Sequence, residues 1–214
     1  MTRRVIVIGS GGHASVVADA LLCAGVDVIG FTDREPSRHG TTRCGLPVLG
    51  GDDALERHPR AEVDLANGIG GSRGEATRRD VQLRLASQGW RFVGVRHPSA
   101  VVSRFADIAA DAQVLAGSVV QAGARIGEGC IVNTAAVIEH DAVLEAWVHV
   151  APRAVVCGGS RIGARSHVGA GAVVRQAISI GPDTLIGAGA VVLRDFEAGG
   201  TLAGVPARAM EASR

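Results

Sequence analysis

The sequence predicts two units in tandem: a small α/β unit with a parallel sheet, then a parallel β-helix. Three observations carry this. An aliphatic residue recurs every six positions through the second half, from Val102 to Val192. Strand-like apolar runs alternate with helix-like stretches through the first half. The 214-residue chain also has 30 Gly but only 4 Phe, 2 Trp and no Tyr, a composition poor in the rings that fill ordinary cores.

In the first half, Val5-Ile6-Val7-Ile8 reads as a buried strand, followed by the turn Gly9-Ser10-Gly11-Gly12-His13 and an apolar helix from Ala14 to Ala24. Val28-Ile29-Gly30-Phe31 is a second strand ending in Thr32-Asp33-Arg34, and Val63-Asp64-Leu65-Ala66 a third, running into the loop Asn67 to Ser72. Glu75 to Gln88 has helical spacing, with Val81, Leu83 and Leu85 among arginines. Arg91 to Val95 is a fourth strand, and His97-Pro98 closes the unit. Such alternation implies a parallel sheet with ligands beyond the C-terminal ends of its strands. The glycine turn is not a complete G-x-G-x-x-G. Backbone N–H groups at the following helix N-terminus can still hold a phosphate, and Asp33 suits a ribose or base contact; a plain turn remains the alternative for both.

In the second half, stepping by six from Val102 reads Val, Ile, Val, Val, Ile, Val, Ile, Leu, Val, Val, Ile, Val, Val, Ile, Ile, Val. With one aliphatic in three as background, sixteen in succession arise about once in ~4×10⁷ trials, so chance is excluded. Four places after each stands a small residue such as Ala136, Ala142 or Ala154, with Val148, Ile178 and Phe196 as exceptions. Neither a helix (3.6) nor a plain strand (2) has this period. Short strands joined by tight turns do, with Gly127, Gly163, Gly169, Gly181 and Gly187 and turn residues such as Glu128-Gly129 supplying bends. The narrow interior takes one aliphatic and one small side chain per repeat.

Composition excludes other classes. A hydrophobic fraction of 47% and a charged fraction of 20% exclude disorder. A net charge of +1 and six aromatics argue against a nucleic-acid binder. Apolar runs are too short to span a bilayer, and Met1-Thr2-Arg3-Arg4 opens no signal peptide. Cys23, Cys44, Cys130 and Cys157 show no CxxC spacing, which points to a reduced, cytoplasmic protein.

The repeat resembles the hexapeptide acyltransferases, whose left-handed β-helix completes a coil in three repeats; residues 102 to about 197 give some five coils. Ala203-Gly204-Val205-Pro206-Ala207-Arg208 looks like that family's closing segment. With Gly9-Ser10-Gly11-Gly12-His13, His97-Pro98-Ser99-Ala100 and Val132-Asn133-Thr134-Ala135-Ala136-Val137-Ile138-Glu139-His140-Asp141, nearly the whole chain resembles bacterial nucleotide-sugar acetyltransferases. These include UDP-4-amino-sugar and GDP-perosamine N-acetyltransferases and NeuD-type sialic acid O-acetyltransferases.

The resemblance implies a Rossmann-like nucleotide-sugar domain over residues 1–97 and an acetyltransferase β-helix with its tail over 98–214. It implies His140 as general base and Asp141 as the acid orienting it. Gly11, Gly12, His13, Asp33 and Asn133 would bind substrate, and His149, Gly158 and Gly187 acetyl-CoA, with the Gly158 N–H meeting the thioester oxygen. It further implies a cytoplasmic homotrimer in lipopolysaccharide or capsule biosynthesis, with no metal, nucleic-acid or membrane partner. Cys157 departs from a small residue common there. The chemistry is coherent without the analogy: amine attack on a thioester needs a base of histidine's strength and an N–H donor for the oxyanion. His149 and His167, eighteen apart, should stack on the outer surface, and Trp147 lies between His140 and His149 in sequence. Arg125, Arg161 and Arg165 read as a solvated face rather than CoA-phosphate ligands.

Two rivals of other classes are a zinc enzyme of the gamma carbonic anhydrase kind and a non-catalytic scaffold. The repeat-region histidines 140, 149 and 167 lack the zinc spacing, and the intact Asn133 to Asp141 segment argues against a scaffold. Between N- and O-acetylation, the nucleotide-facing features favour a nucleotide-linked amino-sugar.

Overall fold

Four β-branched residues in succession leave no polar face for solvent, so Val5–Ile8 can only be a strand covered on both sides. In the computed structural model, which describes residues 3–71, 75–197 and 199–210, they form most of β1 (Arg4–Ile8), buried from Val5 onward. Met1 and Thr2, Ser72 of the expected loop and the last four residues of the tail lie outside the described residues. The chain divides into two compact units, Met1–Pro98 and Ser99–Arg214.

In the first unit, α1 (Gly12–Cys23) follows β1 and leads to β2 (Val28–Thr32). A hairpin of β3 (Thr42–Arg43) and β4 (Leu46–Pro47), absent from the sequence reading, precedes β5 (Val63–Asn67) and α2 (Glu75–Ser87). The sheet is parallel, ordered β2-β1-β5. Helix α1 buries Ala14, Val17, Ala18 and Leu21, the i, i+3, i+4, i+7 face expected of a helix on a sheet.

Two expectations fail locally. Leu83 points outward at 52% exposure, while Arg78, Gln82 and Leu85 face inward on α2. The buried Gln82 side chain has a polar partner there: the Asn67 amide donates to Gln82 Oε1 and also to the Arg78 main-chain carbonyl, each at 3.0 Å. The fourth strand shrinks to one bridge, Leu65 with Phe92, held by Leu65 N to Arg91 O and Val93 N to Leu65 O. The chain leaves β5 at Gly94, and Val95–Arg96 forms a separate two-residue strand. Arg3 and Arg91 each place Nε 2.7 Å from the buried Asp64 carboxylate, tying both flanks to β5.

The second unit is a parallel β-helix of about six turns in which each residue pairs with the one eighteen further on. The first face stacks Val101–Val102, Val119–Val120, Val137–Ile138, Val155–Val156, Val173–Val174 and Val191–Val192. The second runs from Asp107–Ile108 to Ser179–Ile180, and the third includes Gln113–Val114, Ile131–Val132, His149–Val150 and His167–Val168. The second strand residue points inward. With the small residues Ala136, Ala142, Ala154 and Ala172 it forms one continuous core, as the period predicts. Outward, the faces differ. The first carries six stacked valines, the second Asp107, Arg125, Val143, Arg161 and Ser179, and the third a column in which Gln113, Ile131 and His149 are buried.

The left-handed bends lie at the position of Gly129 in Glu128-Gly129, not at the glycines one place after the aliphatic residue. Every sixth residue from Gly117 to Gly189 has a left-handed backbone, three places after the aliphatic residue. Seven of these thirteen corners are not glycine: Ala135, Asp141, Trp147, Arg153, Arg165, Ala177 and Asp183. Glycines one place after the aliphatic serve instead for close stacking. A Cβ on Gly127 would come within 2.9 Å of the Ala146 nitrogen in the next coil.

The same substitution should therefore act with opposite sign at corner and core. Ala177→Gly relieves a left-handed alanine at an exposed corner and should raise stability by up to ~1 kcal/mol, its added unfolded-state freedom subtracting from the gain. Ala172→Gly removes a buried methyl and should lower stability by ~1–2 kcal/mol. Thermal unfolding of the two variants checks this.

Candidate active site

His140 and Asp141 occupy the corner between the first and second faces, directly after Val137–Ile138. Asp141 holds the left-handed position (φ 59°), a conformation that Asp tolerates better than most residues. Its Oδ2 lies 3.0 Å from His140 Nδ1, and the two side chains are 66% and 72% exposed. At that exposure the pair adds little to stability, so its effect is to orient the ring. A carboxylate only accepts, so Nδ1 is the donor in this contact, and in the neutral ring that leaves the lone pair on Nε2.

That lone pair faces the coil above. Gly158 sits one turn on, and a Cβ there would lie 2.5 Å from His140 Nε2. The Gly159 N–H donates to the His140 carbonyl at 2.9 Å, fixing the two coils together. Gly158 is thus a glycine because the imidazole lies against it. Beside it, burial and then the Glu139 carboxylate push the Cys157 thiol above its ordinary range, so it stays protonated at neutral pH and is no nucleophile.

Asn133, His149 and Gly187 lie elsewhere on the prism. Asn133 opens the corner between the third and first faces, and Thr134 N donates to its Oδ1 at 2.8 Å. Its Nδ2 is therefore the group 3.1 Å from His149 Nε2, which accepts. His149 and His167 do lie one coil above the other, their rings meeting edge to face with centroids 4.7 Å apart and planes at 83°. His149 is buried, however, rather than on the outer surface. The Gly187 N–H is taken by the Leu202 carbonyl at 2.7 Å. Trp147 is buried at the corner beyond the second face, its ring over Gly129, where a Cβ would come within 2.5 Å. Trp147 and His140 thus stand on different edges. Asp183 binds Arg165, and Glu145 binds Arg161, as a solvated charged face would have it.

In the first unit, Gly11 caps α1 with an extended backbone and no side-chain cap, and no acidic residue stands in the first turn. The first-turn N–H groups keep their partial positive charge. A Cβ on Gly11 or Gly12 would meet nothing within 4 Å, and neither has a positive φ. Packing within the chain therefore does not require glycine at either position, whereas a phosphate approaching the backbone would. His13 follows them, its Cβ 3.1 Å from where a Gly70 side chain would begin.

Asp33 is nearly buried and clamps this turn. It accepts from Ser10 N (2.9 Å), Ser10 Oγ (2.5 Å), Glu35 N (2.9 Å) and Arg38 (3.1 Å). Burial alone would raise its pKa. The Ser10 and Glu35 hydrogen bonds and the Arg38 charge outweigh it and bring the group to about 2. Three bonds converge on Oδ2 and one on Oδ1, leaving one acceptor direction on Oδ1 for a ligand hydroxyl. The clamp, and the buried Asn67–Arg78–Gln82 cluster, were not legible in the sequence, where nothing marks a pairing across 23 residues.

Among the described residues, the donor atoms of Asp19, Cys23 and His97 lie within 4.8 Å of one another, close enough for a metal. Asp19 and Cys23 are exposed, and all three residues belong to the first unit.

Residues 4–84 match the family described as the PglD N-terminal domain. Over nearly its full length the chain is similar to a solved mutant of perosamine N-acetyltransferase from Caulobacter crescentus in complex with CoA and GDP-perosamine. Identity is 35%, coverage 99% of this chain and 98% of the other, and the TM-score 0.91. The chain belongs to the PglD-type hexapeptide-repeat nucleotide-sugar acetyltransferases. The acetyltransferase domain of PglB from Neisseria gonorrhoeae, in complex with acetyl coenzyme A, is 36% identical at TM-score 0.91, covering 98% of this chain and 100% of that one. WeeI from Acinetobacter baumannii, 23% identical over 98% of this chain and 100% of its own, shares the fold at TM-score 0.87. As a member of this family the chain is an acyltransferase.

The Asp33 clamp carries a pH signature. Because its folded pKa lies below the unfolded value, its contribution is complete above about pH 4 and is lost as pH falls through about 2. Asp33→Asn should cost on the order of 2 kcal/mol at pH 7. It should flatten the acid limb of stability in that window, as measured by urea unfolding between pH 2 and 7.

Proposed function

We propose that the chain is an acetyl-CoA-dependent N-acetyltransferase acting on a nucleotide-linked 4-amino-sugar. The single observation that carries the mechanism is the His140 ring, held by Asp141 through Nδ1 with Nε2 free against Gly158. The neutral sugar amine attacks the thioester carbonyl while His140 Nε2 takes its proton. The tetrahedral oxyanion accepts a hydrogen bond from the Gly158 N–H, and collapse expels the CoA thiolate, which recovers the proton from His140. Nothing in this sequence calls for a covalent enzyme intermediate, in keeping with the protonated Cys157 thiol.

The substrate class rests on two supports. One is the similar perosamine N-acetyltransferase solved with CoA and GDP-perosamine. The other is the open α1 N-terminus at Gly11, Gly12 and His13, suited to a diphosphate, with Asp33 Oδ1 suited to a ribose hydroxyl. Such a reaction belongs in the cytoplasm, where acetyl-CoA and nucleotide sugars meet, and its product fits assembly of a surface glycan.

The assembly we infer is a homotrimer. His140 and Gly158 stand at one end of the first face, Asn133 and Gly187 at the other, with the valine column between them. A neighbouring copy packed on that column would bring the His140 edge of one chain to the Asn133–His149 edge of the next, with acetyl-CoA between.

In a thiol-release assay with acetyl-CoA, GDP-, UDP- and dTDP-linked 4-amino-sugars should divide into a used nucleotide and unused ones. His140→Ala should lower turnover on the used one at least ~10²-fold; near-normal turnover removes the assigned role. Val155→Arg, in the middle of the column, should convert a trimer to monomers by light scattering and lose activity with it. A monomeric wild type would refute the assembly.

A further inference from the structure

Six of the thirteen left-handed corners are glycine, yet Ala, Asp, Trp and Arg occupy the others, so the backbone alone does not demand glycine. At Gly117, Gly171 and Gly189 a Cβ would meet nothing within 4 Å. Gly123 differs. It lies one coil below Asp141, and a Cβ there would overlap Asp141 Oδ1 outright and approach Cγ to 3.3 Å.

We propose that Gly123 is a positioning residue for the proton-transfer pair, its missing side chain being the space in which the Asp141 carboxylate lies while it holds His140. The proposal rests on the reading of His140 as the base. The backbone cannot yield to a side chain at this point. Gly123 N donates to the Phe105 carbonyl and Asp141 N to the Ala122 carbonyl, both at 3.1 Å, so the two corners are locked in register. What can yield is the Asp141 side chain, which is 72% exposed and swings into solvent without disturbing the core. Once it swings, the 3.0 Å contact with His140 Nδ1 is gone. The ring then loses both its orientation and the tautomer that leaves Nε2 ready to accept. A methyl at position 123 would thus act on catalysis while leaving the fold intact.

The test is a coupling cycle in the full-length protein, with kcat and KM for both substrates. Gly171→Ala, a left-handed corner with nothing near its Cβ, reports the backbone cost alone and keeps full activity. Gly123→Ala should lower kcat about ten-fold at nearly unchanged KM, with a thermal midpoint no lower than that of Gly171→Ala. In an Asp141→Ala background, Gly123→Ala should cause no further loss, because the group it displaces is absent. Full kcat in Gly123→Ala, or an equal loss in both backgrounds, would overturn the positioning role. His140→Ala, run alongside, separates the levels. Loss there with full kcat in Gly123→Ala sinks the positioning role alone, whereas retained activity in His140→Ala sinks the reading beneath it.

Discussion

Everything in the second unit depends on one constraint: each residue of the coil lies over the residue eighteen earlier. The constraint comes from parallel pairing of two-residue strands, for which any slip would turn a valine outward and an arginine inward. It makes the core a stack of like on like, Val120 on Val102 and Ile138 on Val120. It also makes a corner residue's environment a matter of two neighbours, one coil above and one below. Three glycines follow directly from this. Gly129 lies under Trp147, Gly123 under Asp141 and Gly158 over His140.

The corner is also where this architecture can place polar chemistry. The interior has room for one aliphatic and one small side chain, and the strands' outward positions are flat. The turn can project a side chain clear of its neighbours, as it does at His140 and Asp141. His140 and Asp141 use that freedom and contribute little to stability there, since an exposed pair is heavily screened. Their geometry is set by what the adjacent coils omit. The first unit solves a different problem in the same economical way. A buried carboxylate, Asp33, gathers the Ser10 turn and leaves an uncapped helix start beside it.

The β-helix was legible because its period is written in single residues: sixteen aliphatic positions need no tertiary information to be recognised. The His140–Asp141 corner was legible because the Asn133 to Asp141 segment resembles a family motif. What was not legible arises between coils or across the sheet. The period identifies Gly158 as a turn residue but does not say that an imidazole lies on it. Gly129 marks one left-handed corner in the sequence, but seven of the thirteen are not glycine and so carry no turn signal of that kind. Leu83 turns outward while Gln82 turns inward for a similar reason, as the polar partner of Gln82 is supplied by Asn67 at the far end of β5. His149, outward on its strand, reads as a surface residue; it is buried together with Gln113 and Ile131 in the coils below, whereas Leu185, two coils on in the same column, is exposed.

The central claim is that this corner joins an acetyl group to a sugar amine. The most direct measurement is the structure of the product. The protein would be incubated with acetyl-CoA and a nucleotide-linked 4-amino-sugar, and the product examined by mass spectrometry and proton–carbon correlation NMR. One added acetyl group is expected, in amide linkage to the sugar nitrogen, with the nucleotide intact. An ester on a sugar hydroxyl, or release of CoA without an acetylated sugar, would contradict that claim.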